Sequence, residues 1–189
     1  MLRKLMYIIL LSLVFPQGYN MELVSFMDFG QDVSDITGFY QDGREFGVIG
    51  LQNAAAFVDI TDPSNPVELG RISGGNSIWR DLKYWDRHVY IGTEASDGVK
   101  VVSVNDPDNP TLVSTISDFG NSHNIHIDVD GYLYVVGAST HDVWIYDLTM
   151  PAFPQLVGAW SGEYLHDIEV YNNKLYGAAI YSGLFYIVD

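Results

Sequence analysis

At 189 residues the chain is long enough to bury one sizeable core. Nine basic against 24 acidic residues give a formal charge of −15, and so acidic a surface repels phosphate backbones and excludes nucleic acid as an expected partner. No cysteine is present, which excludes disulfides, thiolate metal sites, a cysteine nucleophile and a lipid-modified cysteine.

The first twenty residues read MLRKLMYIILLSLVFPQGYN. Arg3 and Lys4 form a basic start, and Leu5 to Phe15 is an apolar run too short to span a bilayer comfortably. This is the pattern of a secretory signal peptide, residues 1–20, with cleavage expected near Gly18 although no A-x-A site stands there. A buried first strand is the alternative. Export is the expectation, and no transmembrane helix is expected in the mature chain.

Beyond residue 20 the chain is rich in Tyr, Phe, Trp, Val, Ile and Gly, which favour strands separated by turns. It also repeats. FVDITDPSNPVELGRI starts at Phe57, VVSVNDPDNPTLVSTI at Val101 and IYDLTMPAFPQLVGAW at Ile145, each 44 residues after the last. Asp59, Ser103, Asp147 and Asp189 hold one position of this register. A second anchor precedes it: Asp35-Ile36, Asp81-Leu82, Asn124-Ile125 and Asp167-Ile168, at spacings of 46, 43 and 43. Two anchors with nearly one period define a tandem repeat, with units at about 33–75, 76–120, 121–163 and 164–189 inside a region covering 21–189.

Each unit reads as four short strands. In the third, the strands are expected at Asn124–Val129, Tyr132–Ala138, Val143–Leu148 and Gln155–Trp160. QDGREF, WDRHVY, VDGYLY and NNKLYG occupy the hairpin between the first two, and Asp-Gly suits such turns. DPSNP, DPDNP and MPAFP punctuate the third and fourth, because proline fixes φ and lacks a donor. Four strands at a period near 44 predict an all-β, β-propeller-like fold of four-stranded blades. A stacked β-solenoid is the alternative. The sequence stops inside a repeat, so an incomplete propeller, a fragment of a longer protein, is expected.

LFYIVD at Leu184–Asp189 and FVDITDPSNP at Phe57–Pro66 resemble LVIVD repeats. With SIWRDLKYW, SHNIHID and YLHDIEVYNNKLYGAAIYSG, in the same order of units, the chain over about residues 20 to 189 resembles the choice-of-anchor B family. That resemblance implies a propeller-like domain on secreted or surface-attached bacterial proteins with variable C-terminal anchoring segments. It supplies no established enzymatic activity and no set of catalytic residues.

SHNIHIDVDG, Ser122–Gly131, has the residue types of a metal site. Strand parity separates its histidines, since residues three apart point to opposite faces. Asn124, His126, Asp128 and Asp130 form the polar side; Ile125, Ile127 and Val129 form the apolar one. Asp130-Gly131 falls in the hairpin turn, and an EF-hand needs further ligands that YLYVVG does not offer.

The remaining candidates lie between repeats. Arg80-Asp81, His123-Asn124 and His166-Asp167 begin the first strand of successive units, which in a propeller lines the central channel; His126 and Glu169 lie two residues further along. These eight residues are the expected channel-lining ligand set. Asp81, His123, His166 and Asp167 are the candidate ligands of a divalent metal ion, which is the only cofactor suggested. The structural alternative is that they bond the backbone of the adjacent blade or form inter-blade ion pairs. His141-Asp142 is expected at the surface. Trp79, Trp85, Trp144 and Trp160 are expected to fill blade interfaces. No G-x-S-x-G elbow, phosphate loop or Rossmann fingerprint occurs, and no catalytic residue is assigned. The function expected is a non-enzymatic, surface-associated binding domain with surface proteins or glycans as partners. The alternative is a metal-assisted hydrolase or oxidoreductase centred on the channel His/Asp cluster.

Overall fold

The computed structural model describes residues 21–138 and 141–189, so the expected signal peptide lies outside the described residues. Every regular element described is a strand. The first sheet joins β1 (Val33–Gln41), β2 (Arg44–Leu51), β3 (Ala54–Asp59) and β4 (Val67–Ser73) in that order. The second joins β5 (Arg80–Trp85), β6 (His88–Thr93), β7 (Val99–Ser103) and β8 (Thr111–Ile116). The third joins β9 (Asn124–Ile127), β10 (Tyr132–Val136), β11 (Val143–Asp147) and β12 (Gln155–Trp160). The fourth has three strands, β13 (Asp167–Tyr171), β14 (Lys174–Ala179) and β15 (Leu184–Val188). All pairs are antiparallel. Between sheets, β1 lies beside β5, β5 beside β9 and β9 beside β13. The chain is therefore a β-propeller array, with first strands at the axis and fourth strands outside.

Local chemistry sets each hairpin. Asp42-Gly43, Asp86-Arg87 and Asn172-Asn173 all have positive φ and join strands paired up to Gln41↔Arg44, Trp85↔His88 and Tyr171↔Lys174. Two residues with φ above zero match the right-handed twist of the flanking strands. The Asp-Pro turns are built alike. Asp62 accepts from the Ser64 and Asn65 amides and the Asn65 side chain, and Asp106 does the same with Asp108 and Asn109. A β-bulge recurs between the third and fourth strands at Phe57/Val58, Val101/Val102 and Ile145/Tyr146, at the 44-residue period.

The third sheet departs from its expected limits at the first hairpin. β9 ends at Ile127, because the Asp128 carboxylate accepts from the Asp130 and Tyr132 amides at 3.0 and 2.9 Å and from the Tyr134 hydroxyl at 3.0 Å. Val129 thus sits in the turn and is exposed, not on the packed face. β10 ends at Val136, before Gly137 at φ +64.

The core lies between sheets. Phe39, Phe46, Phe57, Leu82, Val89 and Val102 fill the first interface. Tyr90, Val101, Ile125, Leu133, Trp144 and Tyr146 fill the second, and Val136, Val143, Leu165, Ile168 and Leu175 the third. Each sheet alone would expose these faces, so packing against a neighbour is what makes a unit stable. Trp144 is buried, and Trp85 and Trp160 pack at the edges of these clusters. Trp79 does not: it is 52% exposed.

Candidate functional site

A cavity of about 1000 Å³ opens where the four first strands meet. Arg80, Asp81, His123, Asn124, His126, His166, Asp167 and Glu169 all line it. The array delivers them because each first strand brings the same register positions to the axis. It also brings Ser34, Asp35, Trp79 and Lys83. Ser34 and Asp35 were legible as register equivalents of Arg80 and Asp81. Trp79 and Lys83 carry no repeat signal.

The eight residues are not equivalent. The buried Arg80 guanidinium turns away from the axis and donates to the carbonyls of Leu51 at 2.8 Å, Gln52 at 3.2 Å and Gly75. It binds the backbone of the first sheet to the second. Burial pulls its pKa below the usual value, with Asp97 opposing, but a guanidinium keeps its charge.

Asp81 is also committed to structure. One carboxylate oxygen accepts from the Ile125 amide at 2.7 Å, across the interface to the third sheet. Asp35 accepts from the Leu82 amide at 2.9 Å, across the preceding interface. The Asp-Ile/Leu dipeptide of the repeat is thus an inter-blade latch: its aspartate receives the amide of the hydrophobic partner in the next unit. Burial raises the Asp81 carboxyl to about 7, and hydrogen bonding with Asp35 adds to this. The Lys83 ammonium, 2.5 Å from Asp81, opposes the shift without cancelling it. Asp35 moves the other way: its own burial is outweighed by its bonds to Asp81 and to backbone amides, so it stays below the ordinary value. Of the two carboxyls, Asp81, the more buried, is the one shifted toward its protonated form.

The histidines separate as strand parity requires. His123 Nδ1 lies 2.7 Å from Glu94 Oε1, and its ring stands 4.0 Å from that of His166 and 5.7 Å from that of Trp79. His126 Nδ1 lies 3.7 Å from Glu169 Oε2, a contact beyond hydrogen-bond reach. Burial holds the His126 imidazole below its usual pKa, partly offset by Glu169, so it is neutral at pH 7. Asn124 starts β9, and Asp167, exposed, accepts only its own strand's Ile168 amide at 2.9 Å. Glu94 follows β6 and was not singled out in sequence, because it lies outside both repeat anchors. His141 and Asp142 sit off the axis, against Ser161 at 2.7 Å and the Gly162 amide at 2.8 Å.

The four candidate metal ligands do not fit an ion. Among the described residues no three His, Asp or Glu side chains stand close enough to share one. Asp81 is spent on a backbone amide and on Lys83. Two imidazoles pointing nitrogens at one ion would hold their ring centres roughly 5 Å apart, given metal–nitrogen bonds of about 2 Å. At 4.0 Å and a tilt of 49°, the His123 and His166 rings are packed directly against each other instead. What the cavity presents is a set of carboxylates, imidazoles and one indole around open space.

No family model matches the sequence, and no curated protein does. Solved structures do. A functionally unknown protein from Desulfotomaculum acetoxidans DSM 771 superposes with a TM-score of 0.68 at 13% identity, covering 82% of this chain and 54% of that one. A putative 6-phosphogluconolactonase from Bacteroides uniformis ATCC 8492 gives 0.67 at 19%, covering 82% and 49%. The β-propeller domain of Myceliophteria thermophila Cps50 (Swd1) gives 0.60 at 12%, covering 84% and 53%. At such identities the likeness shows the fold alone. The chain spans about half the length of the solved structures it matches. Among the described residues no helix is long and apolar enough to cross a membrane.

Proposed function

We propose that this β-propeller protein is an exported, surface-associated binding module of the LVIVD-repeat, choice-of-anchor B type, and that its axial cavity takes a hydroxyl-rich ligand such as a surface glycan. One observation carries the ligand class. Trp79 offers a half-exposed indole face at the cavity, while Asp167, Glu169 and His166 offer hydrogen-bonding groups that no inter-blade bond consumes. An apolar platform beside a few convergent polar groups is how concave sites hold polyhydroxylated molecules. Surface proteins are the second partner class. Export and family rest on the basic-apolar N-terminus and the repeat motifs described above.

Glycan-array binding with thermal-shift follow-up tests this. The expected result is a glycan class that binds and raises the melting temperature, with the effect lost in Trp79→Ala and in His166→Ala. Both variants should melt within about 1 kcal/mol of the parent, since neither side chain is fully buried. Absence of any glycan binder, or binding that survives both substitutions, sinks the ligand class. The Glu94–His123 contact favours a second reading, an enzyme. A carboxylate on Nδ1 orients an imidazole as a general base. That reading requires turnover of a bound glycan that disappears in Glu94→Gln while binding persists.

A further inference from the structure

Aromatic surface continues beyond the axial cavity. Tyr164 stands two residues before His166, and Leu165 between them is fully buried, packed over Gly177. The His166 amide donates to the Ala178 carbonyl at 2.8 Å, so the chain is extended at this point. Alternation along an extended chain then turns Tyr164 and His166 to the side that Leu165 does not face. Tyr181, in the turn between β14 and β15, lies against Tyr164 with ring centres 5.0 Å apart and is 78% exposed.

The tyrosine pair adjoins the row already described, in which Trp79 stands 5.7 Å from His123 and His123 stands 4.0 Å from His166. Glu94 links the two. Its carboxylate holds His123 Nδ1 at 2.7 Å and is close enough to Tyr164 to act on its hydroxyl. Burial raises the Tyr164 pKa, and Tyr181 and Glu94 add to the rise, so the hydroxyl keeps its proton and can donate.

The pair is set within its own unit. The second sheet, which has a neighbour on both sides, shows the same arrangement. Its β6–β7 turn stays exposed at Glu94 and Ser96. Ala95 holds the position of Tyr181, three residues beyond the second partner in Asp81↔Gly92 and Asp167↔Ala178. Ala95 packs against Gly75, in the loop that leads into its own sheet, as Tyr181 packs against Tyr164.

Charge narrows what such a row can hold. Apart from Arg3 and Lys4, every basic side chain of the chain is engaged. Arg44, Arg71, Lys83, Arg87, Lys100 and Lys174 sit on carboxylates, and Arg80 is spent on backbone carbonyls. Among the described residues no free cation is left to meet an acidic group on a ligand, and Glu94 stands in the row itself, so an acidic polymer is repelled. The rings alternate with imidazoles and a carboxylate and do not form a broad apolar patch, which suits a polar chain better than a protein surface. Sugar rings offer apolar C–H faces to the aromatics and hydroxyls to the polar groups between them.

We infer that the ligand is a linear, non-acidic polysaccharide, which runs from the axial cavity past Glu94 onto a second subsite formed by Tyr164 and Tyr181. This rests on the glycan reading of the axial cavity and extends it: the protein reads a chain and not a single sugar.

Calorimetric titration with glucose, glucosamine and galacturonate oligomers, each as disaccharide and as hexasaccharide, tests this. A glucose or glucosamine hexasaccharide should bind about tenfold tighter than its disaccharide, because a further ring stacks on the tyrosine pair. That gain should vanish in Tyr181→Ala and survive in Tyr181→Phe, which keeps the ring. Both variants should melt with the parent, since Tyr181 is exposed. Disaccharide binding with no gain from length, or a gain that survives Tyr181→Ala, overturns the second subsite and leaves the axial site standing. Galacturonate hexasaccharides that bind as tightly as the others overturn the charge argument and the ligand class with it. Absence of binding by every oligomer overturns the glycan reading itself and leaves this face to a protein partner.

Discussion

At the scale of single residues, Asp81 shows how one carboxylate is divided between structure and electrostatics. It fastens the second sheet to the third, contacts Lys83 and is pushed by burial toward its protonated form. Its raised pKa makes the folded state bind a proton that the unfolded chain has lost. Stability from this group is therefore fully present below its ordinary value near 4 and is lost as pH rises to about 7. Asp35, shifted down, acts in the opposite sense and in a lower window, where stability is lost as pH falls below its ordinary value. Denaturant unfolding of the parent and of Asp81→Asn, measured from pH 4 to 8, separates the two. The parent should lose about a few kcal/mol relative to the variant between pH 4 and 7. Parallel curves across that window would show that Asp81 is ionised throughout. The sequence placed Asp81 at the axis correctly. It could not tell a free carboxylate from one bonded to a neighbouring blade, since the Ile125 amide comes from 44 residues away.

At the scale of elements, the turns were the most legible features because their chemistry is local. Asp-Gly, Asn-Asn and Asp-Pro carry their own φ preferences and side-chain bonds, and they fix where strands stop. The VDG stretch was readable as a turn for that reason, although the early exit of β9 at Asp128 was not. That exit depends on the Tyr134 hydroxyl, contributed by the facing strand. The turn before β7 shows how much an element can depend on one residue. Gly98 has φ +65, and a Cβ there would stand 2.0 Å from the Ile116 carbonyl oxygen. Gly43, at φ +84, has open space around it. Gly98→Ala should cost about 3 kcal/mol, from backbone strain plus overpacking, against about 1 kcal/mol for Gly43→Ala. Chemical denaturation of the two variants checks this, and equal losses would place the whole effect in backbone conformation.

At the scale of the molecule, stability is distributed as a line of interfaces and not as one centre. Each sheet is held by its neighbours, so loss of one interface should free one unit first. Leu165 tests this. It is fully buried between the third and fourth sheets and packs over Gly177. Leu165→Ala should destabilise by roughly 2–5 kcal/mol. Amide hydrogen exchange should rise in β13–β15 while β1 to β8 keep their protection. Uniform acceleration across all four sheets would mean that the array unfolds as a single unit.

The sequence by itself determined the repeat, its period, the four-strand unit, the turns and therefore the propeller. All of these follow from local chemistry recurring at a fixed spacing. It also determined which residues reach the axis, because register within a repeat becomes position in a ring. Only the tertiary structure decided what those residues do there. Hydrogen-bond partners come from the adjacent sheet, and no spacing within one unit reveals them. Arg80 and Asp81 are consumed by inter-blade bonds. His123 turns to Glu94 and lies tilted against His166, and Trp79, expected in an interface, opens onto the cavity.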